Sequence, residues 1–222
     1  FQVTSASTLS LNNLTLKDGV ANLDQNQDGY YDNYDVYGGG IANYGELTLT
    51  NVVVQNCYSE GSDYKLGAFG GYGGGLFNAG DAYIYDSSFL NNTAFCVIVY
   101  PPSGPSETSA GWGGGIHNAG TIIMDRSRIS GNTVDGDTEV GGAMRGGGIA
   151  NVGTAYISRS EITENTAKGY TMTLGSVMGA GVYNGGDMYM VNSTVEKNVL
   201  DTSRVSVDYD NTDTNYIWAW GS

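Results

Sequence analysis

The octapeptide "GGGIANYG" at Gly38 returns four times along the chain: as "GGGLFNAG" at Gly73, "GGGIHNAG" at Gly113, "GGGIANVG" at Gly146 and, decayed, "GAGVYNGG" at Gly179. Successive copies start 35, 40, 33 and 33 residues apart. Self-similarity at such a period marks a repeat architecture, in which one supersecondary unit cannot bury its apolar side alone and stacks on its neighbours. Each copy continues alike. An alternating segment follows ("ELTLTN", "DAYIYDS", "TIIMDRS", "TAYISRS", "DMYMVNS"), then a shorter one that ends on Asn ("VVVQN", "SFLNN", "RISGN", "EITEN", "TVEKN"). The amino terminus joins the series, because "TLSLNNLTLKD" overlays "ELTLTNVVVQN" with Asp18 in the place of Asn56, so the chain is expected to begin in mid-repeat.

Alternation of Leu, Ile, Tyr and Val with Thr, Ser and Asp is the period of half-buried strands and excludes helix. Three short strands per repeat, separated by Gly and Asn that accept left-handed backbone angles, predict an all-β chain folded as a parallel β-solenoid of about five to six coils. Coils stacked at the inter-strand spacing of about 4.8 Å would build a rod on the order of 25 Å long. Ile41, Leu76, Ile116, Ile149 and Val182 are expected to form one internal column, and Leu47, Leu49, Ile84, Ile123, Ile157 and Met190 to supply others. Asn43, Asn78, Asn118, Asn151 and Asn184 share one offset behind their glycines, so stacking aligns their amides as a structural ladder in which each bonds its neighbours. A second series, Asn56, Asn92, Asn132, Asn165 and Asn198, reads the same way.

"GGGIxNxG" followed by "LTLxN" and "xIxxNTA" resembles the repeats of right-handed parallel β-helix surface proteins, the polymorphic outer-membrane-protein and adhesin-like group. The resemblance covers nearly the whole chain. It implies a single-stranded right-handed β-helix at a cell surface, in a group that spans adhesins, autotransporter passengers, secreted carbohydrate-active enzymes and structural proteins.

Within "LDQNQDGYYDNYD", Asp24, Asn26, Asp28, Gly29, Tyr30, Asp32 and Asp35 fill positions 1, 3, 5, 6, 7, 9 and 12 of an EF-hand-type calcium loop. Calcium takes six to eight hard oxygens. This spacing offers the side chains of Asp24, Asn26, Asp28, Asp32 and Asp35 and the carbonyl of Tyr30, with Gly29 at the sharp turn. Asp35 stands where Glu is usual, which resembles dockerin and thrombospondin type 3 loops. No helical pattern flanks the loop, so Ca2+ is expected as a structural ion, and an Asp-rich surface loop is the competing reading. One domain spans 1–222, with 19–37 as the calcium-binding insertion and 199–222 as an aromatic capping or assembly segment.

The unequal periods arise between the second Asn and the next triplet, in "CYSEGSDYKLGAFGGY", "TAFCVIVYPPSGPSETSAGW", "TVDGDTEVGGAMR" and "TAKGYTMTLGSVM". These are expected as insertions on one edge, apolar enough to pack on each other or on another molecule. Cys57 and Cys96 lie at the roots of two of them, at offsets that differ, and a disulfide is not expected. An open solenoid exposes strand edges at its ends. Phe1 and the terminal Tyr216, Ile217, Trp218 and Trp220 are expected either to cap the rod or to join copies of the chain head to tail.

Lys and Arg number nine against 23 Asp and Glu, a formal charge of -14 that argues against nucleic acid and anionic membranes, and no apolar run is long enough to span a bilayer. Phe1 is not an initiator residue, as expected of a secreted chain that has lost its leader or of a piece of something longer. His117 stands in a slot filled elsewhere by Ala42, Phe77, Ala150 and Tyr183, the profile of a tolerant wall position. Asp81, Asp86 and Asp125 lie at different offsets and Arg126, Arg128, Arg145 and Arg159 are scattered, so no catalytic cluster is legible and no enzymatic activity is expected. The leading expectation is an extracellular, calcium-stabilised structural β-helix that assembles with copies of itself into a filament, sheath or layer. The alternative is an adhesin or passenger that binds glycan or a surface protein, and a carbohydrate-active enzyme is the third reading.

Overall fold

A computed structural model describes residues 1–22, 36–63, 70–98, 110–138, 143–171, 176–201 and 218–220. These residues form strands and turns with no helix, and every strand pairing is parallel to the next repeat, which makes the chain a β-solenoid. Four walls run along its axis. Wall A holds Gln2–Val3, Ile41–Asn43, Leu76–Asn78, Ile116–Asn118, Ile149–Asn151 and Val182–Asn184. Wall B begins with the unbroken strands Thr8–Lys17 and Glu46–Gln55 and continues as pairs of short arms such as Thr121–Asp125 and Arg128–Ser130. Wall C includes Tyr58–Asp63, Thr93–Ile98 and Thr133–Thr138, and wall D includes Gly71–Tyr72, Ala110–Trp112, Ala143–Arg145 and Ser176–Met178. About four whole turns separate the glycine triplets, bounded by a leading and a trailing coil, slightly fewer than the five to six expected.

Four walls replace the three strands expected, because the supposed insertions carry strands at both ends. "CYSEGSDYKLGAFGGY" supplies Tyr58–Asp63 to wall C and Gly71–Tyr72 to wall D. Its apolar counterpart is equally part of the rod: Cys96 is buried in a second core with Val134, Met144, Ala167 and Val177. Neither cysteine is in a disulfide, Cys57 standing in level with Asn92 and Cys96 with Gly61 and Gly136. The overlay of the first coil holds, with Leu11 opposite Leu49 and Asp18 and Asn56 sharing a left-handed backbone (φ 57 and 55).

The expected core column Ile41, Leu76, Ile116, Ile149 and Val182 is in register along wall A. Ile123 is a correction. It stands outward, 36% exposed, between Tyr83 and Tyr156, while Ile122 and Met124 point inward. The run Ile122, Ile123, Met124 is apolar in both phases of a period-two pattern, and only pairing with Ala82 and Ala155 chooses the phase.

The first asparagine ladder is complete. Asn43, Asn78, Asn118 and Asn151 each donate through Nδ2 to the Oδ1 of the next, at 2.7, 2.8, 2.7 and 2.7 Å, the last acceptor being Asn184. The second ladder runs Asn92, Asn132, Asn165, Asn198 at 3.0, 2.9 and 2.9 Å. Asn56 does not belong to it, because Cys57 holds that slot and donates its backbone N–H to Asn92 Oδ1. A third ladder escaped the sequence reading. Ser87, Ser127, Ser160 and Ser193 each accept the backbone N–H of the preceding level's residue, from Val52, Ser87, Ser127 and Ser160 in turn. They sit where wall B breaks into two arms. Val52 and Leu14 occupy this slot in the two unbroken strands.

The three glycines of a triplet have three separate tasks. Gly113 has φ +67, and a Cβ there would meet the carbonyl oxygen of Ile116 at 2.1 Å. Gly114 lies on wall C: a Cβ would meet Thr133 carbonyl atoms at 2.3 Å and the Gly147 oxygen at 2.4 Å. Gly115 leaves room for the Asn132 amide, 3.0 Å from where its Cβ would be. The corner between walls D and A is thus pressed onto the start of wall C, and the interior divides into two lobes. The larger, around Ile116, Met124 and Ile129, lies between walls A and B, and the smaller, around Met144 and Val177, between C and D.

Candidate functional site

Where a corner is pressed inward, the outside of the rod is concave. The residue before each triplet points outward from wall D, giving the column Tyr37, Tyr72, Trp112, Arg145, Met178. The third residue after the second glycine points outward from wall A, giving Ala42, Phe77, His117, Ala150, Tyr183. Side chains leaving two different walls meet each other outside the backbone, which is the signature of a re-entrant seam. Tyr37 packs on Phe77 with ring centres 4.3 Å apart, and Tyr72 meets the edge of His117 at 5.3 Å. His117 lies flat on Phe77 (5.5 Å, 4°) and edge-on to Trp112 (5.5 Å, 73°). Ala150 carries no ring, and Trp112 reaches past its level to the edge of Tyr183 at 5.6 Å. The Arg145 guanidinium lies 4.4 Å from the Trp112 ring centre and 5.1 Å from that of Tyr183.

This seam holds the densest group of unpartnered polar atoms in the described structure. Trp112 Nε1, His117 Nδ1 and Arg145 Nε are all buried, and none finds a hydrogen-bond partner. A buried polar group without a partner costs roughly 1–3 kcal/mol. Arg145 also forms no ion pair among the described residues. That is unexpected in a chain whose acids outnumber its bases 23 to nine.

His117 keeps the wall role expected of its slot, at 5% exposure. Burial lowers its pKa from 6.5 to about 4, so the ring is neutral at neutral pH. Between those values the unfolded chain binds a proton that the folded chain refuses. Stability is therefore full above pH 6.5 and declines as pH falls towards 4, by up to about 3 kcal/mol for this group. Melting of the wild type is expected to fall over this window more than that of His117→Phe, which extends the aromatic column from Phe77. Parallel profiles for the two would refute the assignment.

Asp86 and Asp125, expected at different offsets, are brought together with Arg126 and Arg159, two of the arginines expected to be scattered, whereas Asp81 stays apart opposite Glu46 and Thr121. Asp86, Arg126 and Arg159 share one left-handed corner column, and Asp125 stands in the outward column beside it. Arg126 grips Asp86 with Nε and Nη2, both at 2.7 Å, and also donates to Asp125. Arg159 donates to both oxygens of Asp125, and Ser158 adds a fourth bond to that carboxylate at 2.7 Å. Hydrogen bonds from Arg159 and then Ser158 hold the Asp125 carboxyl well below the usual range, and Arg126 lowers that of Asp86. Two carboxylates held ionised by guanidinium groups have no proton to give. The cluster serves as a brace across adjacent coils.

The calcium positions Asp24, Asn26, Asp28, Tyr30, Asp32 and Asp35 lie outside the described residues, as do Tyr216 and Ile217. The described residues on either side of the segment expected to bind calcium are Val20–Ala21 in wall C and Val36–Tyr37 in wall D, so it leaves the first coil at the corner between those walls. Among the described residues no group of three or more His, Cys, Asp or Glu could hold a metal ion, and no helix is long and apolar enough to cross a membrane. Trp218 and Trp220 belong to a strand, Trp218–Trp220, that extends wall D, with Trp220 opposite Met178. Phe1 is 65% exposed at the leading edge.

Four of the five residues before the triplets are aromatic or Arg, a recurrence present in the sequence. What hid its meaning was the fold of the corner, which alone sets it against the wall A column. Comparisons with family models, curated proteins and solved structures found no match, so the residues themselves carry the functional argument.

Proposed function

We propose that the chain is an extracellular, calcium-stabilised β-helix of the adhesin kind, right-handed as its repeats imply, that holds a saccharide chain along the seam. The observation that carries this reading is the Arg145 guanidinium laid on Trp112 and Tyr183 without a carboxylate partner, in line with Tyr37 and Tyr72 at successive levels. Aromatic faces and a few polar groups set in a concavity are the ordinary composition of a small-ligand site, and rings repeated at the coil spacing suit a linear ligand. The site is non-catalytic in this reading, since the paired acids Asp86 and Asp125 are braced by arginine. An oligosaccharide array should return saturable binding that Trp112→Ala weakens by about tenfold or more, about 1.4 kcal/mol. Binding that survives Trp112→Ala unchanged would move the site elsewhere.

Calcium enters through the twelve-residue loop, whose donors are all hard oxygens. Millimolar calcium should raise the melting temperature, and Asp28→Ala should remove the increment. Equal melting in calcium and chelator would leave an ordinary acidic loop.

A structural protein assembling with copies of itself is the second reading. It is favoured by the apolar edges of the outer coils, where Phe1 and Val20 are 65% and 61% exposed and Val195 and Val199 are 47% and 53%. A hollow lined by Phe1, Leu16, Val20 and Cys57 opens there onto the interior. Direct stacking of copies would not extend the polar ladders, because the slots of Asn184, Ser193 and Asn198 correspond to Val3, Leu14 and Gly19 in the leading coil. Sedimentation over a concentration series in calcium decides: growing species support assembly, and a single monomer boundary supports the seam alone.

A further inference from the structure

The seam contains a cation that nothing in the described chain neutralises. Arg126 and Arg159 each reach a carboxylate, and Arg128 reaches Ser130. Arg145 instead has its guanidinium carbon over the Trp112 ring at 4.4 Å and 5.1 Å from the centre of the Tyr183 ring, with its Nε buried and unpartnered and no ion pair among the described residues. Beside it, Trp112 Nε1 and the Nδ1 of His117, a residue 5% exposed, are buried and also unpartnered. Met178, next in the column, shows that the position itself does not demand a charge.

We propose that the seam selects a saccharide carrying a single carboxylate, which pairs with the Arg145 guanidinium while the neighbouring sugar rings lie along Trp112, Tyr72 and Tyr37. This deepens, and rests on, the reading of the seam as a saccharide site. A guanidinium confined by two aromatic rings has less freedom to lose when a planar carboxylate meets its N–H donors. The formal charge of -14 sets the limit on ligand charge, since a densely anionic polymer is repelled at long range by a chain with nine basic residues. One isolated carboxylate on an otherwise neutral sugar chain satisfies both conditions.

The test uses the whole chain in calcium and four probes: a neutral oligosaccharide ending in one uronic acid, the same oligosaccharide with its carboxyl reduced to the alcohol, a heparin fragment, and a short peptide with a free carboxyl terminus. The uronic-acid form should bind the wild type about tenfold or more tighter than the reduced form, and Arg145→Gln should erase the difference without abolishing binding of the reduced form. Arg145→Met, which copies the occupant of the next level, serves as the second variant, with equal melting temperatures required of both.

Equal binding of the uronic-acid and reduced forms by the wild type would overturn the charge assignment and leave the saccharide site standing. Binding of neither form would overturn the site itself. Tighter binding of heparin would overturn the single-charge limit, and equal competition by the peptide would overturn the choice of a sugar.

Discussion

Gly114→Ala is expected to destabilise this chain severely. The added Cβ would sit 2.3 Å from carbonyl atoms of Thr133 and 2.4 Å from the Gly147 oxygen, and each contact is backbone. No side chain can swing aside. Relief requires the corner to retreat from wall C, which would separate the two lobes and disturb the Asn132 amide lodged beneath Gly115. Losses above about 4 kcal/mol belong to such backbone and packing conflicts, and a domain with about 5–15 kcal/mol in total would be left marginal. Gly185→Ala is the control. Its Cβ would meet the Tyr183 ring at 3.4 Å, an ordinary contact, and the change should be within about 0.5 kcal/mol of neutral. Urea unfolding of the two variants reads the difference, and comparable midpoints would refute the pressed-corner account.

Asn118→Leu keeps nearly the same volume and removes one rung from the middle of the first ladder. Asn118 is fully buried, accepts from Asn78 at 2.8 Å, and donates to Asn151 Oδ1 at 2.7 Å and to the Thr154 carbonyl at 3.0 Å. The substitution strips Asn151 Oδ1 of this donor and leaves the Thr154 oxygen without the amide it faced. Buried groups abandoned in this way cost about 1–3 kcal/mol each, so a total of about 3 kcal/mol is expected. Asn184→Leu, at the exposed end of the same ladder, should cost less than about 1 kcal/mol, because water replaces what is lost. If the two positions prove equally sensitive, the ladder is not the source of the stability assigned to it.

Some of this architecture was open to reading before any coordinates. A glycine triplet with Asn at a fixed offset, repeated at 33 to 40 residues, leaves a solenoid as the arrangement that stacks Ile116 on Leu76 and Asn118 on Asn78, and the structure does stack them. Such columns are legible because like residues recur at like positions, so a local pattern already contains its long-range partner. The walls C and D were illegible for the opposite reason. Their strands, such as Tyr58–Asp63 and Ala110–Trp112, share no motif beyond the residue before each triplet, and only backbone pairing with the next coil makes them strands.

The chain by itself determined the repeat, the parallel stacking, the Asn43 to Asn184 ladder and the inward column through Ile116. Tertiary structure decided which phase of "TIIMD" faces inward, that Cys57 replaces Asn56 in the second ladder, and that Asp86, Asp125, Arg126 and Arg159 meet. It also decided the seam. Trp112 and Arg145 belong to one wall and His117 and Tyr183 to another, and nothing in their spacing says that the walls turn back on each other. That depends on the second and third glycines of each triplet, such as Gly114 and Gly115, having no side chain where wall C arrives, a contact between segments about twenty residues apart whose consequence appears on the opposite face of the backbone.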